Sequence, residues 1–252
     1  MTSTNVYHLL NGDALKAQMA DSTIEGAAIV VRECLMDGPL DGNFPVEFYQ
    51  KRAAFIANDI GDIKEDQYFQ WTVAELDKIK KIPSNKNSMI CLWFEDDLFC
   101  QVNMWFALHL LALEGWAGQI YWVRPLKSSR YSFGHLHPKE LSQCYAERER
   151  ITSEDISLFD QLWKGYIEGN ISIMVKMGDT LSKRFPAIRA AVQLHIDRIP
   201  NGDNPGRPIQ VLKEIMEREG KGDFGKIFRQ FNEQLPEYGF GDLQVRSMLK
   251  NL

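Results

Sequence analysis

The sequence predicts an α/β protein: a Rossmann-like, mostly parallel sheet in the N-terminal half, followed by a helical C-terminal region. Three observations carry this. Up to about residue 125, short apolar runs alternate with segments of helical periodicity. Strands separated by helices pair in parallel through right-handed crossovers. Beyond that point the strand-like runs stop, and helical stretches bounded by proline or glycine take over.

In chain order, VYHLLNG (6–12) reads as a strand running into a turn, and Ala14, Leu15 and Gln18 fall at helical spacing behind it. AAIVVREC (27–34) is β-branched and apolar, a buried strand. DGPLDGNFP (37–45) is a loop by its Gly and Pro content. Residues 46–60 carry Phe48, Ala53, Phe55 and Ile56 as a helical stripe, and 71–82 form another helix, stopped by Pro83. MICLWFE (89–95) is an apolar strand, 98–115 a long helix closed by Gly115, and QIYWVRP (119–125) a strand ended by Pro125. Pro138 opens the next helix as a first-turn residue. Thr152 and Asp155 have capping-box spacing before the helix 153–169, with Asp in place of Glu. FPAIRAAVQLHIDRIP (185–200) is bounded by prolines; NGDNPGRP (201–208) is a linker; three short helices follow it. The expected units are 1–126 (α/β, with a polar pocket at the strand ends), 127–200 (helical) and 201–252 (three helices, winged-helix-like in pattern).

At 44% hydrophobic and 25% charged residues, the 252-residue chain has the composition of a soluble globular protein. No stretch approaches the roughly 20 apolar residues of a membrane span. The N-terminus lacks a basic segment followed by an apolar one, so no signal peptide is expected. Cys34, Cys91, Cys100 and Cys144 form no CxxC pair and read as reduced thiols, which points to the cytoplasm. Residues 1–125 carry 10 Lys and Arg against 17 Asp and Glu, a net of −7; the remainder carries 19 against 17, a net of +2. The acidic half is a poor match for a phosphate backbone.

The chemistry-bearing residues collect at the ends of predicted strands. Asn11, Gly12 and Asp13 end the first; Arg32 and Glu33 end the second, with Asp37, Gly38 and Pro39 after them; Glu95, Asp96 and Asp97 end the third, with Gln101 and Asn103 beyond. In a parallel sheet these clusters face one rim. Helix capping accounts for one of Asp96 and Asp97, and for Asp13. It does not account for five acids together, which repel unless a cation, an amine or substrate hydroxyls sit among them. Neither GxGxxG nor GxxxxGK[ST] is present, so neither a classical dinucleotide nor a P-loop site is expected. A phosphate would need a metal, or Arg32, Arg52 or Arg124. The rim therefore suggests a small-molecule site: Asp13, Glu33 and Asp97 as acid/base or metal-binding groups, and Asn11, Gly12, Arg32, Glu95, Asp96, Gln101 and Asn103 as substrate contacts. Metal-assisted hydrolysis or transfer on a nucleotide-like or polyhydroxylated molecule, with a divalent cation as cofactor, is the chemistry this favours.

HLLNGD, VVRECLMDGP and CLWFEDDLFCQVN resemble a bacterial family catalogued as domain of unknown function 1835, over roughly residues 5 to 125. In that family an NGD turn, an Arg-Asp pair before a GP turn, and a WF-x-x-D-x-x-x-Q segment recur; here Glu33 stands where Asp is expected. GHLHPKEL (134–141) and the closing YGFGDLQVRSMLKNL look like further signature segments. The resemblance implies the rim and carries over no activity.

Other candidates have plainer readings. His8 and His109 read as core; His135 and His137 lie in a loop and lack a third ligand at metal spacing. Arg130 and Tyr131 could close over the pocket. Cys100 opens a helix, where thiolates are favoured, but no histidine adjoins it. Trp71, Trp105, Trp116, Trp122 and Trp163 read as core. The competing function is a ligand-sensing regulator whose C-terminal helices bind DNA through Arg229 and Arg246. Residues 206–252 carry 8 basic and 7 acidic side chains, a balance less basic than DNA-binding modules show. Packing of Phe224, Ile227, Phe228 and Phe231 against a partner surface is the expected role of that segment.

Overall fold

A computed structural model describes residues 4–61, 63–129, 131–220, 222–250 and 252. Arg130 lies outside the described residues. The sheet contains β1 (Asn5–Asn11), β2 (Ala27–Val31), β3 (Ser88–Trp93), β4 (Gln119–Val123) and β5 (Glu149–Ile151) in the order β2-β1-β3-β4-β5. The first four run parallel, as their helical connections require, and β5 joins β4 antiparallel.

Alternation along the strands sorts the core into two faces. Leu10, Cys91 and Trp93 face one side, where α1 (Asp13–Ala20) and α6 (Pro138–Ala146) supply Leu15, Met19, Leu141 and Cys144. Leu9, Ile90 and Leu92 face the other. That side is covered by α2 (Val46–Phe55), α4 (Ala74–Lys80) and α5 (Leu98–Leu113), with the short α3 (Glu65–Tyr68) between the first two. The helix α5 is buried almost all round because it is enclosed in turn by α7 (Ser153–Ile167) and α9 (Pro186–Arg198). Two π-helical turns, Ile56–Ile60 and Phe69–Val73, interrupt the helices of this layer.

The second half is helical: α7, α8 (Ile171–Leu181), α9, α10 (Arg207–Glu219), α11 (Phe224–Gln234) and α12 (Asp242–Lys250). The capping box expected at Thr152 is present, with Thr152 N–H donating to Asp155 Oδ2 at 2.7 Å. The apolar stripe of α11 turns inward: Ile227 and Phe231 are buried in the core cluster that includes Leu9 and Leu92. The C-terminal helices also hold the loop behind β2. Tyr166 Oη donates to Leu35 O at 3.1 Å, Arg198 to Met36 O, and Gln244 to the Asp37 carboxylate. Among the described residues, no helix is long and apolar enough to cross a membrane.

Candidate functional site

The chain leaves β1 toward β2 on one side and returns to place β3 on the other. The strand order therefore reverses between β1 and β3, and their carboxyl ends open a crevice at which ligands of open α/β sheets bind. Asn11 ends β1 and Glu95 follows β3, so both flank this crevice. Cys100, in the first turn of α5, bridges them: Asn11 Nδ2 donates to Cys100 Sγ at 2.8 Å, and Cys100 Sγ donates to Glu95 Oε2 at 3.0 Å. Asn103, one turn further on, donates to Asn11 Oδ1 at 2.9 Å and to Glu33 O at 2.7 Å, and receives Leu35 N–H at 3.3 Å. Gln101 Nε2 donates to Glu95 O at 2.6 Å. Gly12, at φ 98°, makes the turn from β1 into α1 in a backbone conformation that side chains disfavour.

The five acids resolve into two kinds. Three have arginine partners. Asp13 receives Arg32 Nε and Nη2 at 2.6 and 2.7 Å, and this pairing, not a helix cap, holds its carboxyl below the usual range. Glu33 is sealed in, with Arg52 Nη2 at 3.0 Å and the Tyr68 hydroxyl on its other oxygen. Asp96 receives Arg124 Nε and Nη2 at 2.9 and 2.7 Å. The arginines that a phosphate might have used are thus each matched to a rim acid.

Among the described residues, Glu95 and Asp97 have no such cation. Asp97 caps α5, accepting Cys100 N–H at 2.9 Å, while Glu95 accepts Phe133 N–H at 3.3 Å and the Cys100 thiol. One ligand atom each from Glu95, Asp97 and Cys100 lie within 4.8 Å of one another. Burial and the Glu95 charge push Asp97 up to about 7; burial likewise raises Glu95. Burial, then the two carboxylates, drives the Cys100 thiol far upward, which removes it as an unaided nucleophile. The cluster is therefore a proton-holding pair of acids, or the donor set for a cation that replaces those protons.

A raised acid destabilises the folded state on ionising. Below its ordinary 3.8 Asp97 is protonated folded or unfolded; between there and about 7 only the unfolded chain ionises. Its contribution is thus complete at low pH and is lost as pH rises through that window. Thermal melts at intervals across it should show Asp97→Asn gaining stability relative to the wild type as pH rises. A pH-independent difference would contradict the raised carboxyl.

Two cavities flank the cluster. One, of about 390 Å³, opens outside β1 and β2 and is lined by Asp13, Arg32, Glu33, Trp71 and the segment 241–244. The other, of about 480 Å³, lies outside β4 and includes Asp96 and Arg124. The sequence-derived residues thus share one rim but divide between two hollows and the buried cluster at the switch point.

Trp71 is not core, as its apolar setting suggested, but 48% exposed at the first cavity, whereas Trp105, Trp122 and Trp163 are buried. His8 is structural, accepting Trp93 Nε1–H at 3.0 Å, and His109 pairs with Asp160 at 2.6 Å. Tyr68 reaches the first cavity without any local sequence signal; Phe99 and residues 241–244 lie in motif segments that did not by themselves place them there. Compared with known proteins, the chain matches no family model, no curated protein and no solved structure.

Proposed function

We propose that this protein binds a small molecule at the carboxyl rim of its sheet and acts on it as a metal-assisted hydrolase or transferase. One observation carries this reading: Glu95, Asp97 and Cys100 converge, with no arginine on either carboxylate among the described residues, at the point where the strand order reverses. Asp13, Glu33 and Asp96 each have an arginine; the pair without one among the described residues marks the place where an external charge belongs. A divalent cation held there would supply a Lewis acid and a water of lowered pKa. The chain's own residues do the positioning. Asn11 fixes the Cys100 sulfur, Phe133 N–H orients Glu95, and the α5 N-terminus orients Asp97. Asp13, Arg32 and Glu33 border the adjoining cavity, where a nucleotide-like or polyhydroxylated substrate would lie. The proposal includes membership of the domain-of-unknown-function 1835 family, whose motif segments supply Asn11, Glu33, Asp97 and Gln101.

The test is a thermal-shift series with Mg²⁺, Mn²⁺ and Zn²⁺ against a chelator, paired with phosphodiester and glycoside reporter substrates. A metal at about 100 times its dissociation constant should raise the melting temperature by about 5 °C or more. Asp97→Asn should abolish both that shift and any reporter turnover while remaining folded. Absence of a metal shift in the wild type, or its persistence in Asp97→Asn, would overturn the proposal.

A further inference from the structure

The cavity outside β1 and β2 has a chemistry that narrows its ligand, given the small-molecule reading above. Its wall is apolar, made by Ile56, Ile60, Ile63 and Phe99, with the half-exposed Trp71 indole among them. Both π-helical turns contribute, Ile56 and Ile60 from one and Trp71 and Thr72 from the other; such turns recur at functional sites.

The polar groups are unevenly signed. Among the described residues lining the cavity, Arg32 is the one basic side chain, and its nitrogens are committed: Nε and Nη2 to Asp13, and Nη1 to Trp71 O at 2.5 Å. Glu33 is matched by Arg52. Asp242, from the C-terminal segment, has only Arg246 Nε at 4.0 Å among the described residues, and its side chain is 57% exposed; that of Asp13 is 61% exposed. A phosphate here would meet carboxylates and no uncommitted cation. Hydroxyl or amino groups would find acceptors. At about 390 Å³ the space suits a heterocycle carrying a sugar.

We propose that this cavity binds an unphosphorylated nucleoside, its base against Trp71 and the isoleucine wall and its donors toward Asp13 and Asp242. Stacking on an indole tolerates any base, so the preference among bases is set at the polar edge.

Full-length protein is titrated with adenosine, guanosine, cytidine and uridine and with their 5′-monophosphates, followed by tryptophan emission and calorimetry. At least one nucleoside should bind and change the emission, and its monophosphate should bind about tenfold more weakly or worse. Trp71→Ala should remove the emission change and weaken binding by at least about tenfold, while Trp71→Phe, which keeps a stacking ring, should retain most of the affinity. Failure of every nucleoside to bind, a monophosphate that binds as tightly, or wild-type affinity in Trp71→Ala would overturn the inference. Asp97→Asn separates it from the reading it rests on. A metal shift lost in Asp97→Asn with no nucleoside bound sinks this inference alone. Nucleoside binding with no metal shift supports it and removes the metal-assisted chemistry.

Discussion

Replacing Arg52 with alanine is expected to remove about 3–5 kcal/mol of stability, the range found when one partner of a buried ion pair is deleted. Arg52 and Glu33 are both fully buried. Arg52 donates to Glu33 Oε2 from Nε at 3.3 Å and from Nη2 at 3.0 Å, to Asp37 O at 2.5 Å and to Cys34 O at 3.0 Å. Its removal leaves a buried carboxylate without its cation and two part-buried loop carbonyls without donors. Arg52→Met with Glu33→Met, which deletes both charges, should recover a substantial part of the loss. The remainder reflects the loop carbonyls and the Tyr68 hydroxyl, which still lack partners. Urea denaturation of the three proteins gives the comparison. A loss below about 1 kcal/mol in Arg52→Ala would mean that the pair does not hold the loop behind β2. That loop forms part of the first cavity through Cys34, so the same variant should loosen any ligand bound there.

The Arg52 result also marks the boundary between what the sequence discloses and what only folding creates. The four parallel strands were legible because AAIVV and MICLW are continuous apolar runs that only burial on both faces explains. The strand β5 was not: Glu149, Arg150 and Ile151 are too few and too polar to show a period. The helix α8 begins with Ile171, Ile173 and Val175, β-branched residues that mask helical spacing, and the π-helical turns shift register in a way no 3.6-residue period records.

At the site, residue types and strand ends located the acids, because a parallel sheet sends successive strand ends to one side. Which acids would be neutralised could not be read. Arg52 and Arg124 stand 19 and 28 residues from their partners, and nothing local marks either as belonging to Glu33 or Asp96. Three of the five rim acids are thus matched by arginines, and Glu95 and Asp97 are the two for which the described residues supply none. Residues 241–244 belong to the closing signature segment, yet their place at the rim was hidden, since a segment at the far end of the chain meets the rim through tertiary packing alone.

Gly239→Ala is expected to cost about 2–5 kcal/mol, and the reason ties the C-terminal segment to the acidic cluster. Gly239 has φ +69°, where a side chain costs about 1–2 kcal/mol. A Cβ there would also stand 2.1 Å from Asp97 Oδ1 and 3.1 Å from Phe99 Cβ. Asp97 cannot simply turn aside, because that oxygen caps α5 through Cys100 N–H and the side chain is buried. Relief must come from the C-terminal turn lifting or the cap breaking, each worth about 1–3 kcal/mol in addition. Gly61→Ala supplies the control: its φ is +73° and, among the described residues beyond its chain neighbours, no atom lies within 4 Å of its Cβ, so it carries the conformational strain alone. The difference between the two variants in urea melts measures the contact with Asp97, and equal losses would mean the contact is slack. Water admitted by a lifted turn would lower the Asp97 carboxyl from about 7 toward its ordinary range. Gly239→Ala should therefore also weaken the decline of stability with rising pH. Unchanged pH dependence alongside a large stability loss would assign the dryness of the cluster to the loop around Phe133 instead of to the C-terminal turn.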